Sequence, residues 1–140
     1  MEDWTIPDDR ITASSSSGDK LAKKGRLNNN NAWQAASETN AWIEVDLGES
    51  TVVSGVITQG AFGWYVKHYK VAYKKQPSSD YEYVMDGNGD NKVFIGNFDV
   101  HTPVSNMFDE SVSATVVRIE PNKWHHHVAM RLEYSGCRRG

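Results

Sequence analysis

Four stretches of the chain alternate between apolar and polar residues, so the character of their side chains repeats with a period of two. That period is typical of β-strands with one buried face and one face in water. Two further stretches are rich in β-branched residues and are also predicted to be strands. The alternating stretches are residues 42–48, 66–73, 81–85 and 128–134, and the β-branched ones are residues 51–58 and 114–120.

The alternation also predicts which side chains share a face of each strand. Every second residue should point into the core, because successive side chains of a strand point to opposite sides of the sheet. The predicted apolar faces are Ile43, Val45 and Leu47; Tyr69, Val71 and Tyr73; Tyr81, Tyr83 and Met85; and Val128, Met130, Leu132 and Tyr134.

Turn-forming residues separate the predicted strands, and nothing between them has the period of a helix of useful length. The pattern therefore predicts an all-β fold, an antiparallel β-sandwich or jelly roll of about eight strands, as a single domain over residues 1–140. The predicted turns are residues 47–50, 76–80, 86–91 and 120–123.

Composition and charge narrow the function classes. The chain has 140 residues, of which 39% are hydrophobic and 24% charged, and its net charge is −3. This composition is that of a globular domain, and a net negative charge argues against a general nucleic-acid binder. The sequence has no apolar run of about 18 residues or more and no apolar N-terminal leader. We therefore expect either an intracellular protein or a processed, mature piece.

Two large aromatic residues lie in a short glycine-rich segment that follows a predicted strand. Phe62 and Trp64 flank Gly63, directly after Gly60. Glycine permits a sharp turn, which leaves little chain around the two rings. Loops of a β-sandwich gather at its two ends, where binding residues often lie. The two rings either cap the core or are offered to a ligand.

Six segments follow one another in order along the chain: residues 6–15, 41–48, 53–60, 65–73, 92–104 and 118–137. Together they resemble the coagulation factor V/VIII type C domain, also called the discoidin domain. The resemblance implies a jelly-roll barrel whose loops project from one end, and a non-catalytic recognition module of extracellular or cell-surface proteins. It implies no cofactor, and the ligands of that family include phosphatidylserine membranes, glycans, collagen and other proteins.

Three loops match the projecting loops of that family: residues 16–26, 60–65 and 96–104. The first loop has four cations and one aspartate. The second loop contains the aromatic residues Phe62 and Trp64, and the third contains Phe98. Basic and apolar side chains together suit an anionic membrane surface. The resemblance thus implies a phospholipid-binding adhesion module with the candidate residues Lys20, Leu21, Lys23, Lys24, Phe62, Trp64, Phe98 and His101.

Other ligands use the same loops. A glycan site would stack a sugar on Trp64 or Trp33 and hydrogen-bond it through Asn31, Asp99 or His101. An extracellular protein such as collagen is the third alternative, and no nucleic-acid partner is expected. By the resemblance, Cys137 occupies a disulfide position whose partner would lie just before residue 1.

Several motifs are better interpreted as structure. His125 and His127 would share one face if the strand continued, but two histidines alone make a poor zinc site. Residues 86–90 fit a hairpin turn better than a calcium loop. Arg131 is expected to pair with Asp46 or Glu44 as part of the architecture. Trp33 and Trp42 are expected to pack at the core or the barrel end, and no G-x-S-x-G turn supports an enzyme.

Overall fold

The computed structural model describes residues 6–138, which contain eight strands and two short 3-10 turns. The 3-10 turns are Asp8–Arg10 and Ala22–Lys24. The strands are β1 (Ile11–Ala13), β2 (Trp33–Gln34), β3 (Ile43–Gln59), β4 (Tyr65–Lys74), β5 (Glu82–Tyr83), β6 (Phe94–Ile95), β7 (Val104–His125) and β8 (Ala129–Arg138).

The strands pair in the order β2-β8-β3-β7-β4-β5, with β1 added beside β3 and β6 beside β4. Each of these pairings is antiparallel. The all-β antiparallel architecture of about eight strands is therefore confirmed. Within residues 6–138, no helix has the length and apolar content needed to span a bilayer.

The predicted core faces are confirmed for three of the four alternating stretches. Their apolar side chains, from Ile43 on β3 to Tyr134 on β8, are buried in one cluster. The stretch 81–85 is different, because Val84 is buried and Met85 is exposed. Tyr81 and Tyr83 lie half-buried instead, and their hydroxyls donate to Glu44 and Glu120. The prediction that Tyr81, Tyr83 and Met85 form the apolar face is wrong.

Two predicted turns are irregularities inside long strands. Residues 47–50 lie within β3, where Gly48 has a φ of +81° and donates its N–H to Asp46 Oδ1. The pairing of β3 with β7 shifts register at this point, so the chain bulges without reversing. Residues 120–123 lie within β7, and Pro121 sits at a second register shift against β4. Proline is tolerated at such a bulge because no ladder hydrogen bond is required there.

Candidate functional site at the loop end

Three loops meet at one end of the barrel, where β3 ends and β4 begins. Loop 1 (residues 14–32) joins β1 to β2, loop 2 (residues 60–64) joins β3 to β4, and loop 3 (residues 96–103) joins β6 to β7. Gln59, the last residue of β3, is the register partner of Arg131 on β8. These two polar side chains lie at the base of all three loops.

Arg131 binds main-chain carbonyls in each of the three loops. Its Nη1 donates to the Asn29 carbonyl at 3.0 Å, and its Nε and Nη2 donate to the Gly60 carbonyl at 3.0 and 2.9 Å. Nη2 also donates to the Val100 carbonyl at 3.2 Å. Burial lowers the pKa of Arg131 from its usual value, but a guanidinium stays charged in proteins. The prediction of an architectural role is confirmed, whereas the predicted partners Asp46 and Glu44 are wrong.

Gln59 adds a second link between loops 1 and 3. Its Oε1 accepts the Asn28 N–H at 2.9 Å, and its Nε2 donates to the Asn28 side chain and to the His101 carbonyl. Gln59 is buried, so these bonds satisfy a polar group that would otherwise carry a desolvation cost. Together Gln59 and Arg131 hold the loops in a fixed arrangement.

Loop 2 is a tight turn that holds Phe62 in an uncommon conformation. Ala61 and Trp64 exchange both of their backbone hydrogen bonds at 2.9 Å. The two central residues, Phe62 and Gly63, have φ values of +58° and +87°, as a type I′ turn requires. Glycine suits this conformation, but a bulky residue at positive φ is rare. Phe62 is therefore kept at a position where asparagine or glycine would fit with less strain.

The two aromatic residues of loop 2 have different environments. Phe62 is 39% exposed, and Lys20 Nζ lies 5.1 Å from the centre of its ring. Trp64 is half-buried, packs on a small cluster of buried alanines, and meets the His127 ring edge-on at 4.5 Å. Phe62 is thus offered to solvent, whereas much of Trp64 supports the turn.

Loop 3 is ordered by Asp99 and carries an exposed ring. The Asp99 carboxylate accepts hydrogen bonds from the backbone N–H groups of His101 and Thr102 and from the Thr102 hydroxyl. These bonds, those from Thr102 foremost, hold the Asp99 pKa below its usual value. Phe98 is 71% exposed, and His101, three residues later, is exposed as well. Asp99 is therefore engaged within its own loop.

The lysines of loop 1 do not form one ring around the aromatic residues. Lys20 lies against Phe62, and Leu21 next to it is 40% exposed. Lys23 and Lys24 lie on the 3-10 turn and line a separate cleft with Asp8. The expected basic ring thus divides into one lysine at the aromatic tip and two beside it.

The histidine segment turns instead of continuing the strand. β7 ends at His125, His126 has a φ of +62°, and the His127 N–H donates to the His125 carbonyl at 2.8 Å. The premise that His125 and His127 share one strand face is wrong, because this γ-type turn intervenes. His125 stacks on Tyr65, and burial lowers its pKa. Within residues 6–138, no three His, Cys, Asp or Glu side chains are grouped to hold a metal ion.

The structure also shows the environments of four other features that the sequence singled out. Trp33 has no exposed surface and donates from Nε1 to the Ser15 carbonyl, so its expected core role is confirmed and its use in stacking a sugar is excluded. Asn31 Oδ1 accepts the Ala32 N–H, which occupies it within loop 1. Residues 86–90 form the predicted hairpin turn, in which the Asp86 N–H donates to the Asp90 carbonyl. Cys137 is an exposed free thiol.

Sequence reasoning missed the role of Gln59 in the loops and the true partners of Arg131. Both are large polar residues at or near one end of a long strand. That position was the available signal, because a buried polar group must find partners and the nearest ones are loop carbonyls.

A model of the F5/8 type C domain matches residues 10–134. The chain belongs to this family. The F5/8 type C domain described here is 38% identical to lactadherin of Bos taurus over an alignment 152 positions long. The alignment covers 98% of this chain and 36% of that protein. It thus spans about a third of the length of the curated lactadherins that it matches.

Solved structures share the fold of this F5/8 type C domain. Discoidin II of Dictyostelium discoideum superposes with a TM-score of 0.81 at 19% identity, over 93% of this chain and 56% of that one. A chitosan-binding module from a Paenibacillus sp. chitosanase/glucanase superposes with a TM-score of 0.69 at 19% identity, over 90% and 93% of the two chains. The resemblance drawn from the six sequence segments is confirmed.

Proposed function

We propose that this domain is a non-catalytic recognition module of an extracellular or cell-surface protein and that its loop end binds anionic phospholipid membranes. The observation that carries the proposal is the exposure of large apolar side chains at that end, namely Leu21, Phe62 and Phe98. Soluble domains seldom expose several such side chains together without a partner surface. Membership of the F5/8 type C family supports the same class of function.

The charge beside these side chains favours an anionic surface. Lys20 lies over the Phe62 ring, so a cation and an apolar group would reach the headgroup region together. Apolar side chains that enter the boundary between headgroups and acyl chains are worth roughly 1.5–3 kcal/mol each when fully buried, and a nearby lysine about 1 kcal/mol. Gln59 and Arg131 fix the loops beforehand, which lowers the entropy cost of binding.

Vesicle co-sedimentation tests the proposal, with and without phosphatidylserine, at low and physiological salt. We expect phosphatidylserine-dependent binding that weakens with salt and falls about tenfold or more in Phe62→Ala/Phe98→Ala. Met85→Ala/Met107→Ala removes exposed apolar side chains outside the three loops and is the matched control. If phosphatidylserine does not increase vesicle binding by the wild type, or if the two double variants bind vesicles equally well, the membrane proposal is wrong.

A carbohydrate ligand is the second candidate, because an aromatic cleft lies beside loop 3. This cleft has a volume of about 230 Å³, and its walls include Tyr65, His68 and Phe98. A sugar ring could stack on these side chains, and a structural neighbour of the domain is a chitosan-binding module. Binding that a free sugar competes and that tolerates salt would favour this candidate over a membrane.

A further inference from the structure

A cleft with a volume of about 820 Å³ lies between β7 and the turn that follows β5. One wall is formed by residues 83–87 and Gly89, the other by residues 109–113, and Tyr73 and Lys75 at the end of β4 lie between them. We call it the acidic cleft, for the charges described below. None of its residues belongs to the three loops or to the aromatic cleft beside loop 3.

The acidic cleft lies far from the loop end. β4 begins at Tyr65, directly after loop 2, and Tyr73 lies eight residues further along the same strand. A strand rises about 3.3 Å per residue, so the two positions are roughly 26 Å apart. A ligand in the acidic cleft would therefore not compete with a surface bound at the loop end.

Core side chains line the acidic cleft. Tyr73 and Val84 are buried members of the main hydrophobic cluster, and Val112 is partly buried against that cluster. The cleft therefore opens onto the core, at a place where β5 and β7 do not pair with each other. An apolar side chain that entered here would be removed from water, which favours binding.

The charges that line the cleft are mainly negative. Asp86, Asp109 and Glu110 face one cation, Lys75, so the lining has an excess of two negative charges. Lys75 lies 3.7 Å from a carboxylate oxygen of Glu82, and Asp109 lies 3.4 Å from Lys92 Nζ, so these two residues are already paired. Glu110 is exposed and forms no ion pair with any residue between 6 and 138. Its carboxylate is available to a cation from outside.

Beside the cleft, one edge of β7 has no strand partner. β7 pairs with β3 on one side, and on the other side it pairs with β4 only from Val116 onward. Within the described residues, no strand pairs with this second side between residues 104 and 115. The register with β3 also passes from Met107 to Val112 across Ser54 alone, so residues 108–111 bulge out of the ladder. An unpaired edge presents main-chain donors and acceptors to another extended chain.

The acidic side chains restrict which chain this edge can accept. Charged residues on an edge strand oppose indiscriminate pairing. Two copies of this domain that paired through residues 108–111 would bring Asp109 and Glu110 of both copies together, and like charges across a strand pair are destabilising. A basic segment would instead meet opposite charges. The charge of the edge therefore favours a basic partner over a second copy.

We propose that the acidic cleft docks an extended, basic segment of a partner protein, which adds to residues 108–113 of β7 as a further strand. Main-chain hydrogen bonds supply the affinity in this mode, and alternate side chains supply the specificity. Inward side chains of the added strand would be apolar and meet the core lining, whereas outward ones would be basic and meet Asp109 and Glu110. This interaction is separate from the proposed membrane function and does not depend on it.

Short peptides with blocked termini test the proposal. The probe is TVKVKVT, the charge control is TVEVEVT, and TVKPKVT keeps the charge but removes a central N–H and disfavours a strand. We expect TVKVKVT to shift amides of residues 84–87 and 109–113, to slow hydrogen exchange at alternate amides of residues 109–113, and to bind more weakly as salt rises. TVEVEVT should not bind, and TVKPKVT should bind at least fivefold more weakly. Equal binding by TVKPKVT, shifts confined to the three loops, or no binding of TVKVKVT would overturn the proposal.

A charge reversal in the protein tests the same contact from the other side. We expect Glu110→Lys to bind TVKVKVT roughly tenfold more weakly. Asp9→Lys makes the same charge change at an exposed residue of the first 3-10 turn, outside the cleft, and should bind nearly as wild type. Unchanged amide shifts away from residue 110 show that the variant is folded. If the two variants bind the peptide alike, the proposal is wrong.

Vesicle binding distinguishes this site from the membrane surface. Phosphatidylserine vesicles should bind Glu110→Lys and Asp9→Lys equally well, because both variants have the same charge and intact loops. Failure of all forms to bind vesicles would refute the membrane function, while the peptide titration would still decide the acidic cleft. Vesicle binding lost in Glu110→Lys alone would overturn the proposed separation of the two sites.

Discussion

Two arginines of this domain, both on strands of the sheet, show that the same side chain can be used in two ways. Arg131 lies at the base of the loop end and donates to main-chain carbonyls of three loops. Arg118 lies on the outer face of the sheet and binds side chains instead. It donates from Nε to Glu44 at 2.8 Å and from Nη2 to the Tyr81 hydroxyl at 2.7 Å, and its guanidinium stacks between the Trp42 and Tyr81 rings.

The difference concerns what each arginine requires of the sequence. Arg118 needs a carboxylate directly opposite it, and the β3–β7 register places Glu44 there. Arg131 needs only carbonyls, which every residue supplies. The loops can therefore display any side chains while their bases stay fixed. The Arg118 region holds strands together, and the Arg131 region holds a recognition surface in shape.

Replacing Arg131 should have the largest effect. Arg131→Ala removes four hydrogen bonds from a charged donor and leaves three carbonyls without that partner. We expect a loss of about 3 kcal/mol in the free energy of unfolding, since hydrogen bonds to charged groups are worth roughly 1.5–3 kcal/mol and do not add fully. Denaturant titration measures the loss, and vesicle binding should fall as well.

Arg131→Lys is the matched control for charge. Lysine keeps the positive charge but cannot present the planar fork that reaches three loops, so it should restore little of the stability. If Arg131→Lys behaves as wild type in both assays, the charge alone is sufficient and the role assigned to the fork is wrong.

Breaking the Arg118 cluster should cost less and leave binding intact. Arg118→Met removes the ion pair with Glu44, whose side chain is 18% exposed, and the stacking between two rings. We expect about 2 kcal/mol of destabilisation, and a coupling of about 1 kcal/mol with Glu44→Gln in a double-mutant cycle. Denaturant midpoints give both values.

Vesicle binding by Arg118→Met sharpens the contrast between the two arginines. At a temperature where the variant is folded, its affinity should match wild type, because the Arg118 side chain donates to Glu44 and Tyr81, which lie in none of the three loops. A loss of affinity similar to that of Arg131→Ala would show that the two regions do not act independently.

Much of the fold could be predicted because alternation reports burial directly. The buried faces of β3, β4 and β8 follow from the side-chain period alone. The errors occurred where local residues signal a turn but tertiary pairing decides otherwise. Gly48 and Pro121 are turn formers by propensity, yet each lies at a bulge within a long strand. Sequence cannot distinguish a bulge from a reversal, because both need the same backbone freedom.

The candidate site was predictable in its loops and not in its contacts. Exposure of Phe62 and Phe98 fits their place in short loops that begin with glycine. Sequence spacing did not predict that Lys20 would lie over the Phe62 ring, or that Lys23 and Lys24 would line a separate cleft with Asp8. That division depends on a 3-10 turn anchored by the buried Ala22, a tertiary feature with no periodic signal.

Relieving the strain in loop 2 should separate stability from binding. Phe62 has a φ of +58°, a left-handed conformation that costs a bulky residue about 1 kcal/mol. Phe62→Asn places a residue suited to this turn, so we expect a gain of about 1 kcal/mol in stability together with weaker vesicle binding. If Phe62→Asn loses stability instead, the ring packs on its neighbours more than its exposure suggests.

The smallest effect is expected at a buried hydroxyl on β8, the strand that carries Arg131. The Tyr134 side chain is buried, and its hydroxyl has no hydrogen-bond partner within the described part of the chain. Burial raises the Tyr134 pKa well above its usual value, so the hydroxyl stays neutral. Tyr134→Phe removes an unsatisfied polar atom and should be neutral or stabilising by up to about 1 kcal/mol, as measured by the thermal midpoint. A clear loss would mean that the hydroxyl is satisfied in solution, for instance by a buried water. In that case the contrast with Arg131, whose three nitrogens donate to protein carbonyls, would concern the kind of partner and not its presence.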